Sequence, residues 1–173
     1  MVSYQLMKLT GKARRLKQSD DINTDYIISG RYKFKIQDPR ELAKHLMEDL
    51  EPDFHQRVQK GDFVVAGRNF GCGSSREQAP QAIKYSGVSA VIAKSFARIF
   101  YRNSYNLGLP AIEADTDNIQ DGDELDIDFD AGIITNKSKG QAVKFAAVPR
   151  TMQVLLEDGG LVEHFKKHGG FKI

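Results

Sequence analysis

Cysteine and long hydrophobic segments are the features in which this sequence is poorest. The chain of 173 residues contains a single cysteine, Cys72. One thiol excludes an internal disulfide, and it cannot alone supply the ligands of a zinc site or an iron–sulfur cluster. No apolar run approaches the roughly 20 residues of a membrane-spanning helix. The sequence therefore predicts a cytoplasmic protein that has no membrane contact and no metal bound by this chain alone.

Charge and length narrow the possible classes further. The formal net charge is +2, and 28% of the residues are charged. This balance provides no broad basic face for nucleic acid and no acidic tail. Residues 1–8 also lack the order of a signal peptide, in which basic residues precede an apolar stretch. No linker, repeat or low-complexity tract divides the chain, so we expect residues 1–173 to form one domain.

Apolar segments alternate with helical patterns in the middle of the chain. One helix is predicted at 79–85, and a second is predicted to begin at a cap on Ser95 and to end at Gly108. An order of strand, helix, strand, helix, strand indicates parallel strands joined by right-handed crossovers. The predicted strands of this region are 62–66, 88–93 and 109–113.

The flanking regions carry different patterns. On the N-terminal side we predict a strand at 12–16, an exposed loop at 29–35, and a helix that Asp38 caps and whose apolar stripe extends to Leu50. On the C-terminal side, alternation of apolar and acidic residues predicts a hairpin. The hairpin strands are expected at 124–129 and 133–135, a further strand at 144–148, and helices at 151–156 and 161–167. The predicted class is α/β, with a parallel core joined by crossover helices and additional antiparallel strands.

A glycine-rich turn at 67–79 joins the strand at 62–66 to the helix at 79–85. Glycine lets the backbone adopt positive φ and approach a ligand closely, and a helix that opens from such a turn favours an anion at its free N–H groups. Ser74 and Ser75 each have a capping-box partner three residues later, so at most one of these hydroxyls is expected to cap the helix. Arg76 adds a planar fork suited to a carboxylate. The turn therefore predicts a carboxylate-binding corner that moves a proton.

Several of these residues also have simpler interpretations. Both serines could only cap the helix, and Cys72 could be a small residue chosen for the turn, with a pKa lowered by the helix end. Arg98 and Arg102, one helical turn apart, could form a solvated face or bind a substrate or partner. We expect the four histidines to lie at the surface. The carboxylates Asp20, Asp21 and Asp25 could be metal ligands, or they could form turns that fix the loops through Arg76 or Arg98.

Three segments resemble the mobile C-terminal "swivel" domain of the aconitase superfamily. They are 69–77 (NFGCGSSRE), 20–28 (DDINTDYII) and 95–103 (SFARIFYRN), the last followed by NLGLP. They occur in the order typical of that domain, and the resemblance covers nearly the whole chain. A free-standing domain of this length is similar to the small subunits of the 3-isopropylmalate dehydratase and homoaconitase family.

The resemblance implies a hydro-lyase subunit that is inactive without its large subunit. In that family the large subunit holds a [4Fe-4S] cluster, and the reaction removes and re-adds water on a hydroxy di- or tricarboxylic acid. By motif position, Ser74 is implied as the base, Ser75 and Arg76 as carboxylate binders, and the loop at 32–35 as the segment that selects the substrate. The implied residues of that loop are Tyr32, Lys33, Phe34 and Lys35. Residues implied to support the site are Asp20, Asp21, Asp25, Asn69, Gly71, Cys72, Gly73, Glu77 and Arg98.

The sequence alone leaves more than one substrate and more than one class of function open. An aliphatic loop after Tyr32 is typical of isopropylmalate enzymes and a basic one of homoaconitate enzymes, whereas this loop carries both Phe34 and two lysines. Isopropylmalate in leucine biosynthesis is the expected substrate, with homoaconitate or 2,3-dimethylmalate as alternatives. Gln78 replaces the histidine of many relatives. The glycine corner alone would also suit a non-catalytic module that senses a carboxylate or phosphate, and self-association of the isolated chain is left open.

Overall fold

Four parallel strands make up one half of a mixed sheet. The structure is a computed structural model, and it describes residues 7–173. The parallel strands are β1 (Lys8–Arg15), β2 (Phe63–Val65), β3 (Ala90–Ala93) and β4 (Ala111–Glu113). All residues of β2 and β3 are buried, as expected for strands that are covered on both faces.

Three antiparallel strands complete the sheet on the other side of β1. They are β5 (Glu124–Asp128), β6 (Ile133–Asn136) and β7 (Gln141–Lys144). In the described part of the chain the strand order is β4-β3-β2-β1-β5-β6-β7, and β1 pairs in parallel with β2 and antiparallel with β5. The predicted class, an α/β fold with a parallel core and added antiparallel strands, is confirmed.

Seven α-helices connect and cover these strands within residues 7–173. Helix α4 joins β2 to β3, and α5 joins β3 to β4, as the alternating pattern predicts. None of the helices in this range has the length and apolar character needed to cross a membrane. The helices are α1 (Thr24–Ile27), α2 (Pro39–Ala43), α3 (Phe54–Arg57), α4 (Gln78–Tyr85), α5 (Arg98–Asn106), α6 (Arg150–Asp158) and α7 (Leu161–His168).

The sheet separates two hydrophobic clusters, because neighbouring residues of a strand point to opposite faces. Val64 and Val91 belong to the first cluster, and Phe63 and Ile92 belong to the second. The first cluster also contains residues from the three motif segments: Ile22, Ile27, Ile28, Phe70 and Phe100. Burial of these side chains fixes the motif loops against one face of the sheet.

Four predicted element bounds are wrong. The first strand begins at Lys8 and not at residue 12, because it pairs with β5 from Lys8 onward. The helix predicted to extend to Leu50 ends at Ala43, because the Met47 amide donates to Ile27 O at 2.9 Å instead of continuing the helix. Helix α5 begins at Arg98, because the Ser95 hydroxyl accepts the Asn69 amide at 2.8 Å and is not a cap. The last strand lies at Gln141–Lys144 and not at 144–148, because the register with β6 pairs Asn136 with Gln141.

The histidines do not all lie at the surface, since His164 is completely buried. Its Nε2 accepts the Lys172 amide at 3.1 Å, which places the ring proton on Nδ1. That nitrogen lies 2.7 Å from Asp158 Oδ2, and His168 Nε2 lies 2.9 Å from the same oxygen. The Lys167 ammonium bonds to the other carboxylate oxygen at 2.8 Å. Asp158 therefore joins the end of α6 to α7.

This network predicts how stability depends on pH. Hydrogen bonds from Lys167 and then from the two histidines outweigh burial and lower the pKa of Asp158 from 3.8 to about 2. Because the folded-state pKa is depressed, the stabilisation is present above about pH 4 and is lost as the pH falls toward 2.

We expect Asp158→Asn to lower the free energy of unfolding at pH 7 by about 2 kcal/mol, because it removes a buried charged acceptor. Urea unfolding at pH 7 and pH 3 measures the effect, and the difference between variant and parent should shrink at the lower pH. Asp130→Asn, at an exposed turn, is the control. An equal loss in both variants would contradict the assigned role of Asp158.

Candidate functional site

The glycine-rich turn lies at the carboxyl end of β2, between the chain segments that follow β1 and β3. Gly67 donates to Ser19 O at 2.7 Å and accepts from the Lys94 amide at 2.9 Å. Phe70 donates to Ser95 O at 3.0 Å, and the Ala97 amide returns a bond to Phe70 O at 2.9 Å. Three loops are thus bonded into one surface at the edge where open α/β sheets bind ligands.

The aspartates of the loop after β1 hold this surface together. Asp20 Oδ1 accepts the Arg68 amide at 2.7 Å, and Asp21 Oδ1 accepts from Asn69 Nδ2 at 2.9 Å. Asn69 has a φ of 58°, a left-handed conformation that asparagine tolerates. The predicted contact of an aspartate with Arg76 is present, through Asp25.

Arg76 is the charged centre of the turn. Its side chain is only 14% exposed, and its Nη1 lies 2.5 Å from Asp25 Oδ1. The same nitrogen bonds to Ile28 O at 3.3 Å. A Cβ added at Gly30 would lie 3.1 Å from Nη2, so the guanidinium rests directly against that glycine. The arginine fork is therefore fixed by a loop that is distant in sequence.

Ser74 and Ser75 are both exposed, and within residues 7–173 neither hydroxyl has a hydrogen-bond partner. The capping-box interpretation is wrong, because Glu77 is the N-cap of α4 and makes no side-chain capping bond. Thr24 Oγ1 instead fixes the turn by donating to Ser74 O at 2.7 Å. Both hydroxyls are free for another partner.

The backbone around these serines is open as well. Across the part of the chain that the structure describes, the amides of Ser74, Ser75 and Arg76 donate to no other protein group. They precede the first turn of α4, where the helix dipole favours negative charge. Unpaired amides beside two hydroxyls and a guanidinium form a surface that can bind a carboxylate and stabilise an oxyanion.

A hollow of about 210 Å³ opens beside this surface. The glycine turn contributes Gly71, Gly73 and Arg76 to its lining, and α5 contributes its first turn, whose N-cap Ala97 makes no side-chain capping bond. Ser74 lies between two lining residues but is not itself in the lining. The lining residues are Thr24, Gly71, Gly73, Ser75, Arg76, Ala97, Arg98, Ile99, Phe100 and Asn103.

Arg98 is the second cation of the hollow. It is exposed at the first position of α5, and among the described residues it makes no ion pair. Arg102 is exposed on the same helix but does not line the hollow. The structure thus separates the two arginines, and only Arg98 lies where it could meet a ligand of Arg76.

Cys72 is half-buried in the turn, and its backbone helps to hold the loop in place. Its carbonyl accepts the Thr24 amide at 2.9 Å. Burial, and then the negative charge of Asp21, raise the pKa of the thiol above its ordinary value. The expectation of a lowered pKa is therefore wrong, and the thiol is not activated in this environment.

The loop expected to select the substrate lies outside the lining of the hollow. Tyr32 ends a short 3₁₀ turn (Gly30–Tyr32) and is half-buried, whereas Lys33, Phe34 and Lys35 are exposed. The Lys33 ammonium lies 5.3 Å from the Phe34 ring centroid. The loop is joined to the site through Gly30, which contacts Arg76.

Sequence reasoning missed Thr24, Asn103 and the carbonyl of Ile28. Thr24 and Ile28 belong to the segment 20–28, and Asn103 ends the segment 95–103, so both recognised motifs contained the signal. Their roles depend on a hydrogen bond across the fold and on helical phase, which the motif letters do not specify.

A larger cavity of about 380 Å³ lies away from this site, between the residues after β4 and strands β6 and β7.

Comparison with known proteins gives consistent matches. The aconitase C-terminal domain model matches residues 6–117. The 3-isopropylmalate dehydratase small subunit 2 of Archaeoglobus fulgidus is 54% identical over 96% of this chain and 100% of that protein. The corresponding small subunit of Wolinella succinogenes is 57% identical over 87% of this chain and 90% of its own length.

A solved structure shows the same fold. The crystal structure described as 3-isopropylmalate dehydratase from Methanocaldococcus jannaschii superposes with a TM-score of 0.90 at 48% identity. The match covers 94% of this chain and 96% of that one.

The packing of the glycine turn on α5 predicts a stability effect. Gly71 has a φ of 80°, and a Cβ there would lie 2.3 Å from the Phe100 ring. Gly71→Ala combines left-handed strain with a steric clash, so we expect it to lower the free energy of unfolding by about 3 kcal/mol.

Gly140→Ala is the matched control, since Gly140 also has a positive φ, of 63°, but nothing lies within 4 Å of its added Cβ. We expect that variant to lose only about 1 kcal/mol in urea unfolding. Equal losses for the two variants would show that Phe100 does not press on the turn.

Proposed function

The chain belongs to the aconitase C-terminal domain family and, within it, to the small subunits of 3-isopropylmalate dehydratase, and from this premise we propose a role for its serine corner in catalysis. The enzyme is a hydro-lyase of leucine biosynthesis. We propose that the corner binds a carboxylate of the hydroxy acid and accepts the proton that is lost with water. A cytoplasmic location is part of the proposal.

The observation that carries this proposal is the hollow beside Arg76. Ser75 and Arg76 line it, and Ser74, whose hydroxyl has no partner within residues 7–173, stands in the chain between the lining residues Gly73 and Ser75. A hydroxy dicarboxylic acid needs cationic and N–H groups for its carboxylates and a base beside the carbon that carries the acidic hydrogen. The turn offers both kinds of group within four consecutive residues.

We assign Ser75 and Arg76 to a carboxylate of the substrate. The guanidinium contacts one oxygen of Asp25, at 2.5 Å, and its planar fork has further N–H donors for a carboxylate of the substrate. Arg98, which also lines the hollow, can bind the other carboxylate or the partner subunit. The N-terminal ends of α4 and α5 each add the partial positive charge of a helix dipole, which also favours a carboxylate.

We assign Ser74 to the proton transfer. A serine hydroxyl is a poor base unless its alkoxide is stabilised, and the free amides of the turn together with Arg76 provide that stabilisation. The alkoxide removes the hydrogen from the carbon next to a carboxylate. The electron pair of that C–H bond then forms the double bond as the hydroxyl group departs from the adjacent carbon.

The partner subunit completes the site in this proposal. The name of the relatives as small subunits implies a large subunit, and we place the [4Fe-4S] cluster there because a single cysteine cannot hold it. A cluster iron supplies a Lewis acid for the departing hydroxyl group. This chain closes over that group and excludes water while the proton moves.

The residues of the loop at 32–35 are compatible with more than one side group on the substrate, so an experiment must identify it. Phe34 suits an apolar group such as isopropyl, and Lys33 and Lys35 suit an additional carboxylate. The identity of the relatives favours isopropylmalate, with homoaconitate or 2,3-dimethylmalate as the alternatives. A free anion-sensing module is disfavoured, because the matching relatives are named as subunits of an enzyme.

Ser74→Ala tests the assignment of the base. We expect kcat for dehydration of isopropylmalate to fall about 1000-fold in the assembled enzyme, with KM nearly unchanged, because only the proton transfer is removed. Ultraviolet absorbance of the unsaturated acid measures turnover, and size-exclusion chromatography measures assembly with the large subunit.

Ser138→Ala, in the exposed turn between β6 and β7, is the control. It should keep the turnover and assembly of the parent chain. Full turnover by Ser74→Ala would remove Ser74 as the base. Failure of the parent complex to dehydrate isopropylmalate, homocitrate or 2,3-dimethylmalate would refute the proposed reaction itself.

A further inference from the structure

One carboxylate outside the site anchors the beginning of the substrate-selecting loop. Glu48 Oε1 accepts from the Tyr32 hydroxyl, and the same oxygen accepts from Arg31 Nη2 at 2.9 Å. The other oxygen, Oε2, lies 2.8 Å from His45 Nδ1. Arg31 also bonds to Asp49 at 2.9 Å. Three side chains thus converge on a carboxylate whose side chain is 23% exposed.

Ring contacts restrain Tyr32 in addition to this hydrogen bond. The His45 ring stacks on the Tyr32 ring, with centroids 4.0 Å apart and planes 24° apart. The Arg31 guanidinium carbon lies 5.0 Å from the Tyr32 centroid. Tyr32 also packs against the first hydrophobic cluster. The position of this ring is therefore set by groups from the segment after α2.

The backbone of Tyr32 in turn shapes the loop. Its carbonyl accepts the amides of Lys35 and Ile36, each at 3.1 Å. Between these bonded residues, Lys33 and Phe34 project from the surface, and Phe34 is 86% exposed. A shift of the tyrosine would therefore move the whole turn that carries the lysines and the phenylalanine.

The same loop begins against the site arginine. Ile28 O bonds to Arg76 Nη1, and Gly30 lies in contact with the guanidinium. The selecting loop is thus fixed at one end by Arg76 and four residues later, at Tyr32, by Glu48. Its distance from the carboxylate-binding fork is determined by these two contacts.

We propose that Glu48, acting through Tyr32, is a positioning residue that holds the loop at 32–35 at a fixed place relative to Arg76 and so sets substrate selectivity. This inference rests on the proposed function, because it takes the loop to face the variable side group of the acid. His45 assists by stacking on Tyr32, and neither Glu48 nor His45 touches the hollow.

The charge of Glu48 suits this role. Burial acts to raise its pKa, but hydrogen bonds from Tyr32, His45 and Arg31 outweigh burial and hold the pKa at about 2. The carboxylate is therefore ionised at neutral pH, where it accepts all three bonds.

The first arm of the test measures the loop itself in the isolated chain. Glu48→Gln removes the charge with little change of shape, and hydrogen exchange of residues 30–36 reports the order of the loop. We expect exchange of these amides to accelerate about tenfold, as an anchored turn becomes a locally opening one. Glu41→Gln is the matched control, because Glu41 makes only an exposed ion pair with Lys44.

The second arm measures selectivity in the complex with the large subunit. The ratio of kcat/KM for isopropylmalate to that for homocitrate should change about fivefold in Glu48→Gln, mainly through KM, because uniform binding is altered and the base is not. Tyr32→Phe should shift the ratio in the same direction. A merely structural role would lower activity toward both acids equally and leave their ratio unchanged.

The outcomes separate the two claims. Exchange rates and selectivity ratios equal to those of Glu41→Gln would overturn the positioning role of Glu48. A parent complex that dehydrates neither of these acids, nor 2,3-dimethylmalate, would refute the proposed function, whereas the exchange arm would still decide whether Glu48 orders the loop.

Discussion

The contact between Arg76 and the loop after β1 is the interaction on which the site depends. The Arg76 side chain is only 14% exposed. Its Nη1 bonds both to Asp25 and to the Ile28 carbonyl. Because Asp25 is itself largely exposed, this ion pair contributes little to stability. The ion pair instead fixes positions, because it connects the glycine turn after β2 with the selecting loop. The Arg76 guanidinium, the serine hydroxyls and the loop are therefore held at fixed positions relative to one another.

The rest of the site geometry follows from this Arg76 contact and from the positions at which the parallel strands end. Parallel strands bring the segments after β1, β2 and β3 to one edge, and the backbone bonds of Gly67 and Phe70 lock them together. Positive φ at Gly71 lets the turn press on Phe100, which leaves the hollow between the turn and α5. Within residues 7–173 the hydroxyls of Ser74 and Ser75 have no partner, because α4 begins at Gln78, too late for either serine to cap it.

Structural features that depend on local sequence patterns could be predicted from the sequence. Buried parallel strands are continuous apolar runs, so β2, β3 and β4 could be predicted, and the three motif segments located the site. Other features depend on distant partners. The helix after Asp38 stops because Met47 bonds to Ile27, and Tyr32 is anchored by Glu48, 16 residues away. The strand β7 was misplaced because Gln-Ala-Val-Lys carries no clear alternation, and its register is set by β6.

A structure of the assembled enzyme with a hydroxy dicarboxylic acid bound tests the central claim most directly. The account predicts that a carboxylate of the acid contacts Arg76 and Ser75 in the hollow beside α5. It also predicts that the Ser74 oxygen lies within about 3.5 Å of the carbon that loses its hydrogen. An acid bound elsewhere, with Arg76 in contact only with Asp25 and with Ser74 turned away from the ligand, would contradict it.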